Sequence, residues 1–172
     1  MRKSKLISSV IMLFLCVACS QEKVNKEIAS KEETALKKEV KPVSEKDISI
    51  FCQKQFGFSD SLSAIFVLTD RDCISCNRSF SEFIQHYLQR KDVGFVIESA
   101  GAMVDIAPYL EQQKRPNLVF DQEHLLEKYK LPSKSGAYLL KNNKLDTLVF
   151  IHAATLVEEF KYLKKQLEIS FF

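Results

Sequence analysis

Cys73-Ile74-Ser75-Cys76 sets two thiols two residues apart, between an apolar run from Ala64 to Thr69 and an amphipathic one from Phe80 to Leu88. A strand, a Cys-x-x-Cys and a helix, in that order, is the arrangement that thiol–disulfide chemistry needs. The strand delivers the first sulfur to the end of a sheet. The helix N-terminus, with unsatisfied N–H groups and the positive end of its dipole, favours that sulfur as a thiolate. The two-residue spacer lets Cys76 attack a mixed disulfide formed on Cys73. Three chemistries compete for such a pair: redox exchange, a structural disulfide or two inert thiols, and metal binding. A spacer this short is uncommon in purely structural bridges, which favours exchange. Zinc would ask for two further ligands, and the sequence holds no second Cys or His pair, so no metal is assigned. Exchange between sulfurs needs no organic cofactor, and none is assigned either.

The other candidates are weaker. Cys52 is left over once Cys73 and Cys76 pair. Its helical spacing with Ile48 and Phe56 makes it a small buried hydrophobe, a partner disulfide or resolving role being the alternative. His86 falls on the helix of the Cys pair, about three turns from it, too far to serve as its base. His124 and His152 stand alone. All three read as surface or satisfied structural histidines.

The elements that must position the sulfurs follow from periodicity. Ser44-Glu45-Lys46-Asp47 resembles a capping box, and Ile48, Phe51, Cys52, Gln55 and Phe56 keep helical spacing until Gly57. Ala64 to Leu68 and Val93 to Ile97 are short continuous apolar runs, which suits strands buried on both faces. Phe80, Phe83, Ile84, Tyr87 and Leu88 mark one face of the helix after the Cys pair. Val104 to Gln113 predicts a helix with Pro108 in its first turn or at a kink. Leu118-Val119-Phe120 is a third strand and Gln122 to Lys130 a short helix. Ala137 to Leu140 and Leu145 to Ile151 predict a hairpin around Asn142-Asn143, and Ala154 to Leu167 a closing helix. Parallel pairing comes first and antiparallel pairing last, an α/β arrangement. With four glycines in the chain there is little room for a phosphate loop, and no nucleotide motif is found.

The N-terminal segment reads as an export signal. Arg2, Lys3 and Lys5 precede an apolar core from Leu6 to Val17, too short to span a membrane stably. Ala18-Cys19 then resembles the lipobox of bacterial lipoproteins, with Cys16 where Leu is usual. The expectation is a signal peptide over 1–18 and acylation of Cys19, with plain secretory cleavage or an uncleaved anchor as the alternative. Residues 19–43 would be a charged flexible tether, because a Lys- and Glu-dominated stretch cannot bury enough surface to offset its ordering entropy. Residues 44–172 suffice for one compact domain. Without Arg2, Lys3 and Lys5 the chain carries 22 basic against 22 acidic residues, so its basicity belongs to the signal and makes no case for nucleic acid. The expected location is the bacterial cell envelope, lipid-anchored and facing the periplasm or the exterior.

From Leu62 to Leu167 the order of elements resembles the thioredoxin fold, and more narrowly the TlpA-like extracytoplasmic thiol–disulfide oxidoreductases. Besides Cys73 and Cys76, the matching residues are Asn117-Leu-Val-Phe-Asp121, Tyr129-Lys-Leu131, Ala137-Tyr-Leu-Leu140 and Asn142-Asn143-Lys144. The resemblance implies a three-layer fold, a central mixed sheet of about five strands flanked by helices. It implies Cys73 as the attacking sulfur, Cys76 as the resolving one, and protein thiols or disulfides as partners. Three positions depart from the family pattern. Ser135 stands where the family has a cis-proline facing the disulfide, the nearest proline being Pro132. A cis bond at Ser135 would cost about 2.5–4 kcal/mol against roughly 0.5–1 for proline, which predicts a trans loop. Ser135 would then line the substrate groove with its hydroxyl in reach of the Cys73 sulfur, and without proline there copper on the two thiolates stays open. Asp72 replaces an aromatic residue, its charge opposing a thiolate that Arg71 and Arg78 favour. Val67 replaces a buried carboxylate. A non-catalytic thioredoxin-fold lipoprotein that binds a partner would show the same departures. A peroxidase would need a Pro-x-x-x-Thr-x-x-Cys lead-in that is missing here.

Overall fold

The computed structural model describes residues 42–71 and 73–169, Ile169 as backbone only. The export signal, Cys19, the tether, Asp72 and Phe171-Phe172 lie outside the described residues. The strands are β1 (Ala64–Leu68), β2 (Val93–Ile97), β3 (Leu118–Phe120), β4 (Gly136–Lys141) and β5 (Lys144–Phe150). The helices are α1 (Ile48–Phe56), α2 (Ile74–Gln85), α3 (Ala107–Leu110), α4 (Leu125–Lys128) and α5 (Leu156–Ile169).

The five strands form one mixed sheet in the order β3-β2-β1-β4-β5. β1 runs parallel to β2, with Ala64 opposite Val93 and Leu68 opposite Ile97, and β2 runs parallel to β3. β4 lies antiparallel to β1 and to β5. Both faces of β1 are covered, which is why its five residues are apolar without alternation. On one face Phe66 and Phe95 meet Phe80 and Ile84 of α2 and Leu163 and Leu167 of α5. On the other, Ile65, Val67 and Val96 pack against Ile48, Phe51 and Cys52 of α1 and Leu126 of α4. This is a thioredoxin-like three-layer fold. The ring of Phe66 lies edge-on to Phe80 at 5.8 Å, and Phe83 stacks on Phe160 at 4.5 Å, fastening α2 to both the sheet and α5.

Local chemistry explains where the helices differ from the periodic reading. A 3₁₀ turn over Glu45–Asp47 intervenes between Ser44 and α1, so neither Ser44 nor Asp47 caps with its side chain. Gly57 ends α1 as expected, in the left-handed region at φ 70°. α2 starts at Ile74, six residues before its first apolar face residue, and stops at Gln85. α3 is one turn long, with Pro108 in that turn; beyond it Gln112 and Arg115 donate to carbonyls three residues back, so the chain winds on as turns. α4 starts only at Leu125. His124 before it is left-handed at φ 51°, and the Asp121 carboxylate accepts the N–H groups of Leu125 and Leu126. The hairpin turn is as expected, Asn142 and Asn143 both having positive φ. No helix among the described residues is long and apolar enough to cross a membrane.

Candidate functional site at the Cys73–Cys76 disulfide

β1 ends at Leu68, four residues separating it from Cys73, and Thr69, Asp70 and Arg71 lead the chain out of the sheet. Thr69 is fully buried, and its N–H donates to the Ser135 hydroxyl at 3.1 Å. The Arg71 N–H donates to the Thr69 hydroxyl at 3.0 Å, and the buried Asn77 amide donates to the Arg71 carbonyl at 2.6 Å. The loop is therefore stitched to β4 on one side and to the first turn of α2 on the other.

Cys73 is the N-cap residue of α2, in extended conformation, and its sulfur accepts the Cys76 N–H at 3.2 Å. The Ser75 hydroxyl lies 3.3 Å from the same sulfur. The two cysteines form a disulfide with Cα atoms 5.2 Å apart. Cys73 is half-buried; Cys76 lies behind it at 2% exposure, against the core. A helix N-terminus stabilises negative charge, so on reduction the outer sulfur is the one favoured as thiolate. Arg71 and Arg78 both have partners nearby. The Arg71 guanidinium donates to Glu127 and Ser133, and the Arg78 Nε donates to the Met103 carbonyl at 3.1 Å.

A cleft of about 250 Å³ opens at Cys73, walled by Ser135, Lys134, Ile151 and His152. Its far wall is the end of β5, brought there by pairing: Gly136 lies opposite Phe150, and the Ile151 N–H donates to the Ser135 carbonyl at 3.0 Å. Ser135 thus faces the cleft in a chain whose described peptide bonds are all trans, as expected. Its hydroxyl is engaged by Thr69 and not by the sulfur.

Two residues that the sequence left aside stand out, His152 on the wall of this cleft and Glu98 in a separate cavity beside Asp121. His152 does not stand alone: its ring Nδ1 lies 3.1 Å from the Glu159 carboxylate, which also accepts the His152 N–H at 2.9 Å. Glu98 directly follows β2, and its N–H donates to the Leu68 carbonyl at the point where β1 leaves the sheet. Both carboxyl oxygens of Glu98 are buried without a hydrogen-bond partner among the described residues. Burial, then the nearby Asp121, push its pKa up to about 7 against the pull of the Arg71 guanidinium. The domain thus carries a buried carboxyl, one strand over from Val67. Neither residue had a short-range signal, since only strand pairing brings 152 to 135 and 98 to 68.

The remaining candidates lie elsewhere. Cys52 is fully buried on the opposite face of the sheet, and burial, then Asp121, raise its thiol pKa. His86 follows the C-terminus of α2 and His124 precedes α4, both exposed. Among the described residues no three His, Cys, Asp or Glu side chains cluster to hold a metal ion. Comparison with protein-family models, with curated proteins and with solved structures gives no match to this chain. Fold and site together define a thioredoxin-like domain with a Cys-x-x-Cys disulfide at the N-terminus of its second helix.

Proposed function

We propose that this domain is a TlpA-like thiol–disulfide oxidoreductase acting on protein thiols or disulfides, held at the bacterial envelope by a lipid on Cys19. The observation that carries the redox reading is an asymmetry. Cys73 is half-exposed on a helix N-terminus at the mouth of a cleft, while Cys76 sits at 2% exposure directly behind it. In the reduced protein the Cys73 thiolate attacks a substrate disulfide, one substrate sulfur leaves, and Cys76 then displaces the second to restore the Cys73–Cys76 bond. In the opposite direction a substrate thiolate attacks the bond that the structure holds. Ser135 lies where an extended substrate would run past the sulfurs.

The test is the reduction potential of the pair together with disulfide reduction of an insulin-type substrate. Cys76→Ser is expected to accumulate mixed disulfides on Cys73. Protein that exchanges with no dithiol, and whose Cys73→Ser/Cys76→Ser double variant still complements a deletion, would leave the partner-binding module in its place. The anchor is tested separately, Cys19→Ser being expected to release the protein into the soluble extracytoplasmic fraction.

A further inference from the structure

We infer that His152, held by Glu159, is the acid–base group of the Cys73 cleft, a role that rests on the redox reading above. Thiol–disulfide exchange needs a proton removed from the attacking thiol and one supplied to the thiolate that leaves. Among the side chains walling the cleft, Ser135 is engaged with Thr69 and Asn77 with the Arg71 carbonyl. Lys134 adds a positive charge to the rim, and Glu159 of α5 stands behind His152. Imidazole is the side chain suited to moving protons near neutrality.

His152 is built into position. Its side chain is 61% exposed, whereas that of Glu159 is only 14% exposed. The Glu159 carboxylate accepts three donors: the His152 N–H at 2.9 Å, the Thr155 hydroxyl at 2.7 Å and the imidazole at 3.1 Å. Burial raises the Glu159 pKa, but these hydrogen bonds outweigh it and hold the group below the usual carboxylate range. With an ionised carboxylate accepting, Nδ1 is the protonated nitrogen and Nε2 carries the lone pair, so Nε2 is the atom left for proton traffic. The Phe150 ring meets the imidazole edge-on at 6.5 Å.

Nε2 takes the Cys73 proton, and the Cys73 thiolate attacks one sulfur of the substrate disulfide. The substrate S–S bond breaks, and its electron pair leaves on the other sulfur, which receives the proton from Nε2. Cys76 then closes on Cys73 and its own proton goes to the second substrate thiol. Two electrons pass from the protein dithiol to the substrate disulfide.

The experiment is the pH profile of the second-order reaction of the reduced full-length protein with glutathione disulfide. His152→Ala is expected to slow it on the order of 10- to 100-fold near pH 7 and to recover to within about twofold above pH 9, where a free thiol ionises unaided. Glu159→Gln, which keeps acceptor oxygen but loses the charge, is expected to give a smaller loss of the same shape. A superposable profile, or a loss uniform across pH in both variants, would overturn the role while leaving the redox reading intact. Wild-type protein that does not react with glutathione disulfide at any pH would remove both.

Discussion

The Thr69 N–H and the Ser135 hydroxyl meet at 3.1 Å across 66 positions of sequence, out of contact with water. This bond closes the turn that presents Cys73 against the start of β4. Ser135→Ala would leave a buried N–H without its acceptor, a loss of about 1–3 kcal/mol. Ser135→Pro removes the same acceptor and also reshapes the cleft. Both variants are expected to melt earlier than wild type in a thermal scan. Ser135→Pro is expected in addition to shift the Cys73–Cys76 reduction potential in a glutathione titration. An unchanged potential would make Ser135 a purely structural residue.

Alkylation of the reduced protein orders the two sulfurs. Cys73 is half-buried at the helix N-terminus and Cys76 is 2% exposed, so iodoacetamide at neutral pH is expected to label Cys73 first, read by peptide mass spectrometry. Labelling of Cys76 ahead of Cys73 would reverse the assigned roles.

Glu98 predicts an acid-side stability that fades toward neutrality. Its folded pKa, about 7, lies above the ordinary value of 4.5, so folding favours its protonated form. The stability is therefore whole below about pH 4.5, is lost as pH rises to 7, and levels off beyond, a change on the order of 3 kcal/mol. Glu98→Gln stays neutral throughout and is expected to flatten this slope in urea titrations at acidic and mildly alkaline pH. Parallel curves for the two proteins would contradict the assignment.

Gly136 sits where β4 and β5 close on each other beside Ser135. A Cβ there would collide with the Val149 carbonyl and meet the Phe150 Cα at 3.1 Å, both backbone atoms that cannot swing aside. Gly136→Ala is expected to destabilise by about 1–3 kcal/mol through forced separation of the strands. Equilibrium unfolding checks it, and a neutral result would mean the hairpin yields more easily than its packing suggests.

How far the sequence carried depended on the range of the interaction. β1 and β2 were legible to the residue because strands buried on both faces leave an unbroken apolar run, and Asn142-Asn143 marked the turn by its tolerance of positive φ. Cys73 and Cys76 were legible as a pair at the start of a helix because their spacing is local. α3 and α4 came out shorter than their patterns because Pro108, His124 and the Asp121 carboxylate set helix ends that periodicity does not encode. The surroundings of Glu98, His152 and Glu159 were illegible. Each acquires its neighbours only through strand register or a helix packed from elsewhere in the chain, and an isolated His or Glu says nothing of register.

The sheet also divides the domain's sulfur into two compartments. Cys73 and Cys76 belong to the face covered by α2 and α5, and Cys52 to the face covered by α1. For Cys52 to bond with either of them, the sheet between them would have to open and its thiol would have to ionise against burial. In a domain holding three cysteines, the guard against the wrong bridge is the same wall of Phe66, Val67 and their neighbours that holds the fold together.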